Sequence, residues 1–157
     1  MPHGMTRREM MQAGALLAGG VCGCRTAGDP AAPRSTCCDT PELEPESLTF
    51  GPGGLTIDLL KAPSLREVGS AAYIVHKDKS LQLIVVHAEK HRYCVLSRLC
   101  THGGQVVSYN RQRGMLQCNN FNHALFDLNG SVWKGPAEKP LKAYSVVFVE
   151  DALVVSI

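Results

Sequence analysis

The amino-acid sequence predicts an all-β protein, built as an antiparallel sandwich or barrel of short strands. Three observations carry that prediction. From Leu48 onward, β-branched and aromatic runs recur every 8 to 12 residues. Turn residues separate those runs, and no helical period persists beyond a single turn at Ser64 to Val68. At 157 residues, 45% hydrophobic and 19% charged, the chain has the material for one core and is not a disordered tail.

The elements follow in order. Gly51-Pro52-Gly53-Gly54 is a turn, and Leu55-Thr56-Ile57-Asp58-Leu59 alternates as a strand should. Ala72-Tyr73-Ile74-Val75-His76 and Leu81-Gln82-Leu83-Ile84-Val85-Val86 flank polar Lys77-Asp78-Lys79-Ser80, which predicts a hairpin. Arg92-Tyr93-Cys94-Val95-Leu96 forms a further strand. The chain closes on two more, Tyr144 to Val149 and Ala152 to Ile157, with Glu150-Asp151 between them.

The N-terminal part reads differently. Residues 1–24 place Arg7-Arg8 ahead of a weakly apolar, glycine-rich run, too short for a comfortable membrane span, and resemble a twin-arginine export signal. Val21-Cys22-Gly23-Cys24 looks like a lipobox, with Cys24 or Cys22 as the lipidated residue. Cleavage without lipid, or an uncleaved signal serving as anchor, stays open beside it. Residues 25–47, with Pro30, Pro33, Pro41 and Pro45, read as an extended tether. Its adjacent Cys37 and Cys38 have no assigned role. The domain proper is residues 48–157.

The formal charge of +2, or +1 once Arg7, Arg8 and Glu9 are removed with the signal, is too small for binding that depends on phosphate neutralisation. Aromatics at 6%, with one Trp, argue against a base-stacking platform. Nucleic acid is therefore not an expected partner. Nor is there a glycine-rich phosphate loop, a nucleophile elbow or a paired-carboxylate site. Seven cysteines and six histidines point to metal instead.

Between Leu99 and Asp127 the strand pattern breaks. Cys100-Thr101-His102-Gly103-Gly104 is followed, after fifteen intervening residues from His102, by Cys118-Asn119-Asn120-Phe121-Asn122-His123. Cys100 and His102, two apart, share a side only on a looped backbone, which Gly103 and Gly104 permit. Two Cys–His pairs on separate loops suit a soft metal site. Zinc is one candidate, but zinc fingers pair Cys with Cys and His with His. One Cys and one His per loop suits a binuclear iron centre with Cys₂ on one iron and His₂ on the other.

Here the chain resembles the Rieske [2Fe–2S] proteins, whose signature is C-x-H, a spacer, then C-x-x-H. Phe126-Asp127-Leu128-Asn129-Gly130 resembles the family's F-D-x-x-G turn. Gly135-Pro136-Ala137-Glu138-Lys139-Pro140-Leu141 is similar to its G-P-A-x-x-P-L segment, and Tyr144-Ser145-Val146 to its closing strand. The second loop departs from the pattern, being C-x₄-H. Anchored on Phe126, the ligand position falls on Asn122, with His123 one place beyond.

The resemblance implies a Rieske-like antiparallel β-sandwich with a small loop-built cluster-binding subdomain. It implies a [2Fe–2S] cofactor on Cys100, His102, Cys118 and His123. The expected function is a one-electron carrier, or a subunit of an oxidoreductase complex, with no catalysis of its own. Electrons would pass between a quinol or enzyme donor and a cytochrome-type acceptor. With the export signal, the expected location is the periplasm, tethered to the membrane. A cluster-free or zinc-bearing exported β-domain acting as an interaction module is the alternative.

In the quinol-oxidising members a disulfide joins the cluster loops, and a Ser and a Tyr donate hydrogen bonds toward sulfur. Gln105 and the Asn-rich loop supply no such cysteines here, and Leu125 and Phe126 replace the donors. Lost donors lower the reduction potential, placing it in the lower part of the Rieske range of about −150 to +300 mV. Cys94 is expected to be a buried hydrophobe, and His76, His87 and His91 to be solvated. Trp133 is expected to pack in the core.

Overall fold

The computed structural model describes residues 40–77, 80–120 and 122–157. Arg7, Arg8, Cys22, Cys24, Cys37 and Cys38, on which the signal, lipidation and tether readings rest, lie outside the described residues. Among the described residues, no helix is long and apolar enough to cross a membrane.

The described residues form three four-stranded antiparallel sheets. The first contains β1 (Leu48–Gly51), β2 (Gly54–Asp58), β11 (Val146–Val149) and β12 (Ala152–Ser156), in the order β1-β2-β12-β11. The second contains β3 (Ala71–His76), β4 (Leu81–Glu89), β5 (Arg92–Ser97) and β10 (Ala143–Tyr144), in the order β10-β5-β4-β3. The third contains β6 (Val107–Asn110), β7 (Met115–Cys118), β8 (Leu125–Phe126) and β9 (Val132–Lys134), in sequence order. The all-β class holds, and the predicted hairpin is β3–β4, paired from Ala71↔Val86 to His76↔Leu81.

Two cores share the middle sheet. Leu55, Ile57, Leu153 and Val155 pack with Ala72, Ile74, Leu83 and Val85 in one. Ile84, Val86 and Leu96 pack with Val107, Leu116 and Phe126 in the other. β4 thus sends alternate side chains into different cores. A strand buried on both faces reads as a continuous apolar run, which is what Leu83 to Val86 shows. The Cys100 and Cys118 side chains belong to the second core.

The F-D-x-x-G turn is built by Asp127, whose Oδ1 accepts from the N–H groups of Asn129 (2.9 Å) and Ser131 (2.8 Å). Gly130 sits at φ +91°, where an added β-carbon would lie 2.6 Å from the Leu141 carbonyl oxygen. Only glycine lets the segment ending at Leu141 approach this closely.

Some sequence expectations need correction. Residues 40–47 pack on the domain rather than trailing from it. Leu43 is buried, its N–H donates to the Tyr73 carbonyl at 2.8 Å, and Pro45–Ser47 forms a 3₁₀ turn. His87 is only 6% exposed, not solvated. It lies within β4, where its Nδ1 donates to the Leu65 carbonyl at 2.9 Å and its ring stacks on Tyr93. Trp133 is 64% exposed and outside both cores, because β9 is the edge of the third sheet. Cys94 is half-buried against the second core, and burial pushes its thiol pKa up.

Candidate metal centre

The first loop leaves β5 and returns to β6. A Leu99↔Val106 bridge closes it, and the Cys100 N–H donates to the Gln105 carbonyl at 2.7 Å. The Gly104 N–H then donates to the Cys100 carbonyl at 2.9 Å, which requires the left-handed φ of +67° at Gly104. Thr101 Oγ1 donates to the Lys139 carbonyl at 2.6 Å, tying this loop to the 135–141 segment. That tight turn brings Cys100 Sγ and His102 Nδ1 to 2.9 Å.

Cys118 is the last residue of β7, so pairing of Val107 with Cys118 fixes its position. Its Sγ joins Cys100 and His102, and the three donor atoms lie within 4.8 Å of one another. Both cysteines are buried, at 2% and 0% exposure, and neither is in a disulfide. Burial pushes the Cys100 thiol pKa up. The backbone N–H groups of His102 and Thr101 pull it back, and the neighbouring Cys118 thiol pushes it up again. A thiol pair of this kind favours a cation that takes both sulfurs as thiolates.

His123 does not join the group. The Cys118 N–H donates to the Ala124 carbonyl at 2.9 Å, closing the base of the second loop. Within it the His123 N–H donates to the Asn120 carbonyl at 3.0 Å, and His123 takes a φ of +41°. That left-handed backbone costs a residue with a β-carbon about 1 kcal/mol. The exposed ring points Nδ1 at the Gln117 amide (3.2 Å) and the Cys118 carbonyl (3.1 Å). Asn122 is exposed. Asn120, by contrast, sends its amide to 3.2 Å from His102 Nε2.

Sequence reasoning missed Asn110, Gln117 and Asn120 as neighbours of the centre, and Lys139 as the first loop's anchor. Only the Asn-rich composition of the second loop hinted at amide partners.

The family model for the Rieske [2Fe–2S] domain matches residues 61–145, over half of the chain. The chain belongs to the Rieske family. Among solved structures, it is similar to the cyanobacterial plasma membrane Rieske protein PetC3 from Synechocystis PCC 6803, with 23% identity and a TM-score of 0.49. That likeness covers 55% of this chain and 86% of the other. It is also similar to the ferredoxin of carbazole 1,9a-dioxygenase from Nocardioides aromaticivorans IC177, with 19% identity and a TM-score of 0.48, over 57% and 86% of the two chains. No curated protein matches.

A Rieske domain implies a [2Fe–2S] cluster and one-electron transfer. Three donors of this site fit such a group: two buried, unpaired thiols and one imidazole, already converged. His123 lies on the adjoining loop with its ring directed elsewhere.

Proposed function

We propose that the protein is an exported one-electron carrier in which Cys100 and Cys118 hold one iron and His102 and His123 the other. The convergence of Cys100, His102 and Cys118 supports this reading most directly. When bound, the cluster supplies a reversible one-electron couple. The chain's residues do the rest. The buried cysteines keep the sulfur side in the second core, while half-exposed His102, beside Thr101, Pro136, Glu138 and Lys139, places an imidazole where a partner can approach. His123 completes the set by turning its ring from Gln117 toward the other donors.

The partners of this reading are redox proteins that meet the His102 edge through a small, weak contact. The donor is a quinol-linked or other oxidoreductase subunit, and the acceptor is of cytochrome type. The paired arginines at 7 and 8 support export by the twin-arginine route, which carries folded proteins. Cys24 or Cys22, or an uncleaved signal, provides the tether to the membrane in the periplasm.

The test is anaerobic purification of the full-length chain, with iron and acid-labile sulfide measured per chain and the reduced form examined by EPR. Two irons, two sulfides and a mixed histidine–cysteine spectrum are expected, with a midpoint in the lower part of the range of about −150 to +300 mV. Near-zero iron would sink the carrier, and a midpoint near the top would sink the account of the missing hydrogen-bond donors.

A further inference from the structure

A chain of hydrogen bonds runs from a backbone N–H of unambiguous polarity to the His123 ring. The Arg113 N–H donates to Asn110 Oδ1 at 3.2 Å. That assigns the Asn110 amide, because its oxygen is the atom facing Arg113 and its nitrogen must therefore be the donor on the other side. Asn110 Nδ2 donates to Gln117 Oε1 at 3.1 Å, so Gln117 is oriented in turn. Its remaining Nε2–H group then faces His123 Nδ1 at 3.2 Å. An amide nitrogen only donates, so when this contact is made as a hydrogen bond the ring nitrogen accepts, with the imidazole proton on Nε2.

We infer that Gln117 is the positioning residue for His123: it fixes the ring's tautomer with Nδ1 as acceptor and holds the ring outside the Cys100–His102–Cys118 group. The inference rests on the proposed role of His123 as the fourth ligand, and it names what that imidazole must leave in order to bind. Gln117 and a metal would compete for the same lone pair. The hold is a compromised one. The Cys118 carbonyl oxygen, 3.1 Å from the same Nδ1, is an acceptor facing an acceptor. A nitrogen set between one donor and one acceptor satisfies only one of them at a time, so the ring is retained by a single good bond. The register of the third sheet explains why Gln117 is the residue in place. Gln117 pairs with Leu125 across from the second loop, and with Ser108 on the strand that ends at Asn110.

Two substitutions separate this role from a merely structural one. Gln117→Glu keeps an oxygen for Asn110 to donate to, but turns an acceptor toward His123, so the proton should move to Nδ1. Gln117→Leu removes both groups and should leave a mixture of tautomers. Imidazole ¹⁵N NMR of the metal-free, full-length chain at alkaline pH, with His123 assigned by its loss in His123→Ala, reads the result. Wild type should show the Nε2–H form. An unchanged His123 tautomer in Gln117→Glu would overturn the inference.

Cobalt(II) titration, followed through the thiolate-to-metal absorption, gives a second measurement. Gln117→Leu should bind roughly two- to tenfold more tightly than wild type, the worth of one competing hydrogen bond. Equal or weaker binding would overturn the competition. A wild-type chain that takes up no iron would sink the carrier function alone, because the tautomer is read without metal.

Discussion

The two loops of the centre each offer one cysteine and one histidine, yet they deliver them differently. The first is pinned by the Leu99↔Val106 bridge, by Cys100 to Gln105, and by Thr101 to Lys139, and its Cys and His donors lie 2.9 Å apart. The second delivers Cys118 from the end of a strand, but His123 from the far side of a loop with two more residues between its ligands than C-x-x-H. Lengthening a loop costs little entropy. Its cost falls on aim, since a side chain must be held within about 0.5 Å and 10–20° to serve a site. A ligand fixed by strand register keeps its aim through a longer loop, and a ligand fixed by loop length must turn to recover it.

The two cysteines should not show this asymmetry, and their removal should have the largest effect. Cys100→Ser and Cys118→Ser each replace a buried thiol with a poor ligand for a soft metal. Both are expected to bring iron per chain close to zero after anaerobic purification, while far-ultraviolet circular dichroism still reports the sheets. Substantial cluster in either variant would remove the thiol pair from the centre.

The histidines should divide. His102→Ala removes a donor already in place and is expected to cost at least tenfold in cluster retention against a chelator. His123→Ala removes one that must first leave Gln117, so its loss should be several-fold smaller than that of His102→Ala. The EPR line shape decides the register. A shift in His123→Ala and none in Asn122→Ala is expected, and the reverse would move the ligand one place back. Equal losses at residues 102 and 123 would break the comparison between the loops.

The legible parts of this molecule are those set by short-range backbone chemistry. Alternating runs gave the strands of the first sheet, and Asp127 and Gly130 announced a turn that the Asp127 carboxylate indeed builds. The order Cys100, His102, Cys118 was readable because a C-x-H turn and a strand-end cysteine need little else. What stayed hidden depends on which strand lies beside which. His87 is buried because Leu65 and Tyr93 cover it, and Trp133 is exposed on β9, which has no outer neighbour among the described residues. Asn110 and Gln117, seven residues apart, meet only through the β6–β7 register. Where the His123 ring points is a matter of loop closure, which spacing alone does not fix.

The smallest effect concerns what makes the first loop the better one. Thr101 Oγ1 donates to the Lys139 carbonyl across 2.6 Å and joins the ligand loop to the segment that Gly130 and Leu141 dock against the core. Thr101→Val keeps the shape and removes the donor. Because the bond is exposed, the expected loss is modest, about 0.5–1.5 kcal/mol in urea unfolding of the metal-free chain. Thr101→Ser, which retains the hydroxyl, should recover most of it. If this tether is what presets Cys100 against His102, Thr101→Val should also shed its cluster to a chelator faster than wild type, narrowing the gap between the loops. Lost stability with unchanged cluster retention would instead assign the first loop's better aim to its own backbone bonds, from Cys100 to Gln105 and from Gly104 back to Cys100.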